Sequence, residues 1–222
     1  MENRSRAAEL GSADAEREIQ AIRAPGFVAG TQVWTREGRV PIETLRVGDQ
    51  VLSKSENARE PSYRRVVRTF GFEHPWGVVA IDLWKSVEGW MAGERAGFVV
   101  TDFQPFHVGG AGWKAAMTIP SGGLLTLQDG SCCEVVNRSP LYHTPVEGVA
   151  WMDGFIDNQR GGGTGRTIDL RAGEVRFDYE MVPNPLAVDL YAPINRFRPP
   201  VFSIELEDEH GYFVGEWAVA AR

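Results

Sequence analysis

The chain has 222 residues, of which 43% are hydrophobic and 24% charged, so it is too apolar for general disorder and long enough to bury a substantial core. Its formal net charge of −7 argues against the clustered positive surface that sequence-independent nucleic-acid binding requires. The sequence has neither an apolar run of membrane-spanning length nor a signal-peptide pattern. We therefore expect a cytoplasmic protein with no membrane or nucleic-acid partner, which a specialised secretion system could still export.

The first part of the chain predicts a helical arm followed by strands. Residues 1–25 are rich in Ala, Glu and Arg, which favours a short N-terminal helical arm. From Phe27 the pattern changes to short runs of apolar, β-branched and aromatic residues that are separated by glycine turns. These runs lie at 27–35, 39–45, 49–54, 63–73, 78–84, 97–101, 124–127 and 132–136. The spacing predicts an all-β fold in which Pro41 to Leu45 form a single helical turn.

Residues 138–200 have a different composition. They hold three consecutive glycines, many prolines and scattered aromatic residues without a clear period, which predicts an irregular insertion before strands resume at residue 200. Its aromatic residues indicate either a small core of their own or a protein-binding surface. The candidates for partner binding are Trp151, Phe155, Phe177, Tyr179, Tyr191 and Phe197.

Three separated segments together resemble the Hint (Hedgehog/intein) superfamily, and most closely the pretoxin Hint domains of bacterial polymorphic toxins. They are GFVAGTQVWTREGRVPIETLRVGDQVLSKSE at 26–56, VVTDFQPFHVGGAGWKAA at 99–116 and VFSIELEDEHGYFVGEWAVAAR at 201–222. The resemblance implies one Hint-type domain over residues 26–222, a pseudo-symmetric β horseshoe that the irregular segment 138–200 interrupts.

The family's chemistry explains the residue types in these segments. In active members, a cysteine at the start of the first segment attacks the preceding carbonyl, and a Thr and a His of the second segment bind and protonate the scissile amide. In cleaving or splicing members, a terminal Asn then cyclises, assisted by the neighbouring His and by a His in the third segment.

Carried onto this sequence, the resemblance places Gly26 at the nucleophile and the pair Thr101 and Gln104 at the amide-binding positions. Glycine has no attacking group, and a glutamine amide neither gives nor takes a proton near neutral pH. Ser203 stands where an aspartate is often found, and His210 matches the third-segment histidine. The terminal His-Asn pair is absent from the closing AVAAR, so the resemblance implies that self-cleavage is lost.

These residues predict a catalytically inactive Hint-like domain that acts as a protein-binding or regulatory module in a bacterial toxin or secretion context. One alternative is residual autoproteolytic cleavage of a peptide bond, and another is a self-cleaving domain that was inactivated by engineering. We expect no cofactor and no metal. Cys132 and Cys133 lack the further ligands of a four-ligand set, and His210 with its neighbouring carboxylates is more typical of a hydrogen-bonded turn.

Overall fold

The computed structural model describes residues 23–54, 60–73, 77–86, 93–153, 164–184, 193–209 and 211–222. In this part the chain forms 18 strands, and its helical segments are four short 3-10 turns, at Ile42–Thr44, Ala116–Thr118, Pro193–Asn195 and Glu207–Glu209. The predicted all-β fold is confirmed, as is the helical turn between Pro41 and Leu45. Of the predicted helical arm, residues 1–22 lie outside the described part of the chain, so the arm stays a prediction.

The first nine strands are β1 (Phe27–Val28), β2 (Gln32–Thr35), β3 (Gly38–Pro41), β4 (Gln50–Lys54), β5 (Ser62–Glu73), β6 (Val79–Ser86), β7 (Gly93–Val100), β8 (Pro105–Val108) and β9 (Gly112–Ala115). The others are β10 (Leu124–Thr126), β11 (Cys132–His143), β12 (Val149–Asp153), β13 (Thr164–Asp169), β14 (Arg176–Phe177), β15 (Val182–Pro183), β16 (Pro200–Leu206), β17 (Gly211–Val214) and β18 (Val219–Ala221). None of the helical segments in the described ranges has the length and apolar character of a membrane span.

All the pairs between described strands are antiparallel, and β6 lies between two of its neighbours. It pairs with β7 on one side and with β11 on the other. The long strand β5 pairs first with β4 and then with β16, which in turn pairs with β1. These pairings bring the first strand of the described chain beside its last long strand.

Two hydrophobic cores lie on opposite faces of β6 and β7. Val79, Ile81 and Leu83 of β6 point into the larger core, whereas Ala80 points into the smaller one together with Val99 of β7. Successive side chains of a strand alternate between faces, so a strand that is buried on both faces needs an unbroken apolar run. The run VVAIDLW at 78–84 comes close to that requirement, because Asp82 is its only polar residue.

Residues 138–200 are more regular than the sequence pattern indicates. They contain the end of β11 and the strands β12 to β15, which form an antiparallel sheet. Leu141, Met152 and Ile168 from this segment are fully buried in the smaller core. The segment therefore covers the second face of β6 and β7, and its residues Tyr142 and Trp151, with Val182, also form a small hydrophobic cluster of their own.

Candidate functional site

Gly26 and Thr101 are in direct contact. The backbone N–H of Thr101 donates to the carbonyl oxygen of Gly26 over 2.9 Å, where β1 begins and β7 has just ended. Gly26 is buried, and Thr101 has no exposed surface. The structure thus brings together two of the residues that the resemblance assigns to one pocket.

The Thr101 hydroxyl reaches one residue further back along the chain. Its Oγ1 donates to the carbonyl oxygen of Ala24 over 2.9 Å. This carbonyl belongs to the Ala24-Pro25 peptide bond, which precedes the bond that the resemblance predicts as scissile. The side chain of Thr101 therefore fixes the segment that enters β1.

The amide side chain of Gln104 is fully buried and donates two hydrogen bonds. Its Nε2 lies 3.0 Å from the carbonyl oxygen of Pro105 and 3.0 Å from that of Arg222. Its Oε1 is buried and has no hydrogen-bond partner in the described part of the chain. Both amide protons are used to hold backbone carbonyls, which ties the end of β18 to the beginning of β8.

Ser203 lies on β16, one step beyond the paired residues Phe27 and Phe202. It is 8% exposed and lines a groove of about 520 Å³. We call this groove the reaction groove only for its position beside Ala24 and Pro25, which precede the bond that the resemblance predicts as scissile. It is lined by Ala24, Pro25, Phe70, Phe72, Ser203 and Arg222, together with Ile204 to Leu206, and not by Gly26, Thr101 or Gln104. The structure therefore places Ser203 beside the segment that leads into Gly26.

Position 26 has little room for a side chain. A Cβ atom built there would lie 3.1 Å from Cβ and 3.2 Å from Cγ2 of Val201 on β16. The backbone of Gly26 is not in the left-handed region, so the neighbouring valine is what opposes a larger residue. Val201 would have to shift by a few tenths of an ångström to accept a cysteine.

Two histidines complete the account of the predicted pocket. His210 lies outside the described residues, so its predicted place in the pocket stays a prediction. His107 lies on β8 and contacts Thr126, with 2.9 Å between Nδ1 and Oγ1, and the ring of Trp113. Gln104, which directly precedes β8, is fully buried, whereas His107 is partly exposed.

The aromatic residues predicted to bind a partner have different environments. Trp151 is fully buried and Phe197 is 7% exposed, because both pack inside the domain, so neither side chain can meet a partner of the folded chain. This corrects the sequence-based expectation for these two residues. Tyr179 is 39% exposed and stacks on Phe177, so partner binding by these two residues stays a prediction. Phe155 and Tyr191 lie outside the described residues.

A second concave surface, which the sequence reading missed, lies away from the reaction groove. It is a cleft of about 400 Å³, and we call it the side cleft. Its walls are residues 30–32, 95–98 and 215–217, with Arg39, Glu174, Phe177 and Tyr179. The 138–200 segment supplies one wall, and strands and loops outside this segment supply the others. Because these segments are distant in sequence, no local sequence motif indicates the cleft.

A buried ion pair lies beside the side cleft. Asp82 of β6 bonds to Arg166 of β13 through a short contact between Oδ2 and Nη2, and the Asp82 side chain is only 4% exposed. Burial raises the pKa of Asp82, although Arg166 and, more weakly, Arg95 act in the opposite direction. Arg95 also lies over the rings of Trp84 and Tyr179, at 5.6 and 5.4 Å. An aspartate inside the apolar run VVAIDLW was the sequence signal for this cluster.

No group of three or more His, Cys, Asp or Glu side chains in the described ranges is arranged to hold a metal ion. The two cysteines differ in their surroundings: Cys132 is exposed and Cys133 is buried. Burial raises the pKa of the Cys133 thiol to about 12.

Comparison with known proteins bears on both the sequence and the fold. Residues 25–71 match the Hint domain family model, and no curated protein matches the sequence. The fold is similar to that of the bacterial intein-like domain from Clostridium thermocellum, at 18% identity and a TM-score of 0.53, over 89% of this chain and 97% of that one. It is also similar to the gp41-1 intein, at 11% identity and a TM-score of 0.50, over 90% and 98% of the two chains. Residues 25–71 are therefore similar to the Hint domain family, and the chain as a whole has an intein-like fold.

Proposed function

We propose that this Hint-type domain has lost peptide-bond cleavage and serves as a protein-binding module. The observation that carries the proposal is Gly26, which stands at the nucleophile position and has no side chain to attack a carbonyl. Its carbonyl oxygen accepts the Thr101 N–H over 2.9 Å, so the backbone is held at the place where the chemistry of the family would occur.

The surroundings of Gly26 support the same proposal. Val201 approaches position 26 so closely that a new Cβ would lie 3.1 Å from its own Cβ. The amide of Gln104 uses both of its protons on the carbonyls of Pro105 and Arg222, and it has no proton to give to a leaving amine near neutral pH. The pocket contains hydrogen-bond donors that hold backbone, but at these positions neither a nucleophile nor a proton donor.

The loss of cleavage is tested by intact-mass measurement of the purified chain, incubated with and without a thiol such as dithiothreitol. We expect a single species of unchanged mass under both conditions. A thiol-dependent break between Pro25 and Gly26 would contradict the proposal.

One contact favours a second candidate function, residual cleavage of a peptide bond. The Thr101 hydroxyl donates to the Ala24 carbonyl over 2.9 Å and so polarises the Ala24-Pro25 bond toward attack by water. The same mass experiment separates the two candidates, because this route gives a fragment that begins at Pro25 whether or not a thiol is present.

For the binding role, the support is the side cleft, which is open to solvent and separate from the reaction groove. Deletion of residues 138–200 is not a suitable test, because Leu141, Met152 and Ile168 of that segment help to fill the smaller core. Single substitutions of the exposed charged residues on the cleft walls, Arg39, Glu174 and Glu216, avoid the closely packed glycines there and test the role directly. The resemblance to pretoxin Hint domains extends the proposal to a bacterial toxin or secretion system, which the neighbouring genes would reveal.

A further inference from the structure

Among the described residues, strand β7 has an edge beside the side cleft that no other strand covers along most of its length. Among the described strands it pairs with β6 from Gly93 to Val100, whereas on its other side it meets β1 at Val100 alone. The short strand β1 ends at Val28, and the chain then turns away. The edge of β7 that precedes Val99 is therefore not covered by a described strand.

The direction of the backbone groups on this edge follows from a single hydrogen bond. The N–H of Thr101 points to β1, because it donates to the carbonyl oxygen of Gly26. Backbone groups of alternate residues in an antiparallel strand point to the same side, and the pairing of β6 with β7 runs without a register shift. The N–H and C=O groups of Gly97 and Arg95 therefore point away from β6, toward the open edge.

The lining of the side cleft agrees with this direction. Four consecutive residues, 95 to 98, line it, whereas a strand that presented only one face would contribute alternate residues. Gly97 itself has no side chain to fill the space, and the ring of Phe177 lies against it on one face of the strand. The cleft is thus bordered by the backbone of β7.

We propose that the side cleft receives an extended peptide segment of a protein partner, which adds as a strand along the open edge of β7. The proposal rests on the protein-binding role and names the mode of recognition. The N–H and C=O groups of Arg95 and Gly97 supply the backbone hydrogen bonds, as in other cases of strand addition to a sheet edge. Residues 215–217 and Tyr179 form the walls between which the segment lies.

The charges around the cleft determine which segments fit. Arg39 and Arg95 line it together with Glu174 and Glu216, so cations and carboxylates are present in equal number among these four residues. A purely acidic or purely basic segment would meet like charges on one wall. The cleft therefore selects an extended segment that carries both an acidic and a basic residue, and these pairs set its register.

A matched pair of variants separates the backbone contribution of Arg95 from that of its side chain. Arg95→Pro and Arg95→Ala both remove the guanidinium from the rings of Trp84 and Tyr179, but only Arg95→Pro removes the outward N–H and blocks the edge. Proline is tolerated on strand edges, since this N–H takes no part in the ladder with β6. Far-UV circular dichroism and thermal unfolding of both variants verify that they fold.

The probe is the set of peptides that a random short-peptide display library enriches on the wild-type domain. We expect these peptides to bind Arg95→Pro at least about tenfold more weakly than Arg95→Ala, because ladder hydrogen bonds are lost only in the proline variant. Versions of the peptides with N-methyl groups at alternate residues test the same point on the folded wild-type chain, and we expect one of the two methylation registers to abolish binding. Bound peptide should also slow hydrogen exchange at Arg95 and Gly97.

Equal affinity for the two variants, binding that tolerates both methylation registers, or protection away from β7 would overturn strand addition. Failure to enrich any peptide would overturn it as well. The proposed function is judged separately: intact mass tests the loss of cleavage. A partner that co-purifies equally with the wild type and Arg95→Pro would keep the binding role and move it to another surface.

Discussion

The side-chain nitrogen of Gln104 donates a hydrogen bond to the carbonyl oxygen of Arg222 over 3.0 Å, which joins two strands that lie 118 residues apart in the chain. The resemblance assigns position 104 to the histidine that would protonate a leaving amine. In this chain the side chain at that position holds the end of β18 against β8 instead. Position 104, which the resemblance associates with catalysis, therefore has a structural role in this chain.

Replacement of Gln104 by leucine tests this structural role. Gln104→Leu leaves the carbonyls of Pro105 and Arg222 without their donor, so we expect the free energy of unfolding to fall by about 1–3 kcal/mol. Urea denaturation measures the change. Gln50→Leu is the matched control, because Gln50 is exposed and its replacement should cost less than about 0.5 kcal/mol. Equal effects of the two substitutions would show that the buried amide contributes nothing specific.

Restoration of the missing groups tests whether the scaffold can still support cleavage. We expect Gly26→Cys with Gln104→His to cleave at the Pro25-Gly26 bond on addition of thiol, at least about 10²-fold faster than Gly26→Cys alone, because only the double variant has a general acid. Intact mass over time gives both rates.

Substitution of Val201 provides a further test and a control for that experiment. Its Cβ would lie 3.1 Å from a new Cβ at position 26, so adding Val201→Ala should raise the cleavage rate of the double variant. Val201→Ala in the chain that keeps Gly26 should not cleave. If the triple variant gives no product, the pocket geometry is no longer competent, and the loss of cleavage goes beyond two side chains.

The sequence predicted the strand-rich fold because short apolar runs define strands. The proximity of Gly26 and Thr101 does not follow from such local patterns, and only the resemblance to the Hint superfamily implied it. The structure departs from the prediction at Trp151, which is buried and not at a surface. Aromatic residues in an irregular stretch give no sign of the face against which they pack.

The apolar sequence of β6 indicates that another segment packs against its second face. The run from Val78 to Trp84 has no polar residue except Asp82, which is typical of a strand covered on both faces. Something therefore had to cover its second face. The pattern does not say which segment covers this face or that Asp82 pairs with Arg166. These two residues lie 84 positions apart, and the periodicity of a single sequence contains no information on such distant contacts.

The two cysteines should differ in reactivity. The thiolate is the reactive form, and burial raises the pKa of Cys133 from 9.0 to about 12, so at about pH 8 only about 10⁻⁴ of its thiol is ionised. We expect iodoacetamide to add a single label to the folded chain, on exposed Cys132, and a second after denaturation. Peptide mapping identifies the labelled residue, and Cys132→Ser should remain unlabelled while folded. Rapid labelling of Cys133 in the folded chain would show that this part of β11 opens readily.

The buried pair of Asp82 and Arg166 predicts a pH-dependent defect when the arginine is removed. Arg166→Met leaves a carboxylate that is 4% exposed without its partner, and the unpaired charge should cost about 3–5 kcal/mol near neutral pH. Asp82 already has a raised pKa because of burial, and loss of Arg166 removes the largest opposing influence, so the folded-state pKa rises further.

The sign of the effect follows from this raised pKa. A carboxyl whose pKa in the folded state exceeds its ordinary value of 3.8 stabilises the folded state when it is protonated. This contribution is complete below pH 3.8 and is lost as the pH rises through the pKa of the folded state. The stability that Arg166→Met loses relative to the wild type should therefore shrink as the pH falls from about 8 toward 4, as measured by urea denaturation at each pH.

Two further variants serve as controls for Arg166→Met. Asp82→Leu added to Arg166→Met should restore most of the loss and flatten the pH profile, because no buried charge then remains. Arg171→Met breaks an exposed pair with Asp169 and should cost much less stability than Arg166→Met, because solvent screens the exposed charges. A loss in Arg166→Met that is the same at every pH would mean that the packing of the Arg166 side chain against Tyr179, and not its charge, holds the 138–200 segment on β6.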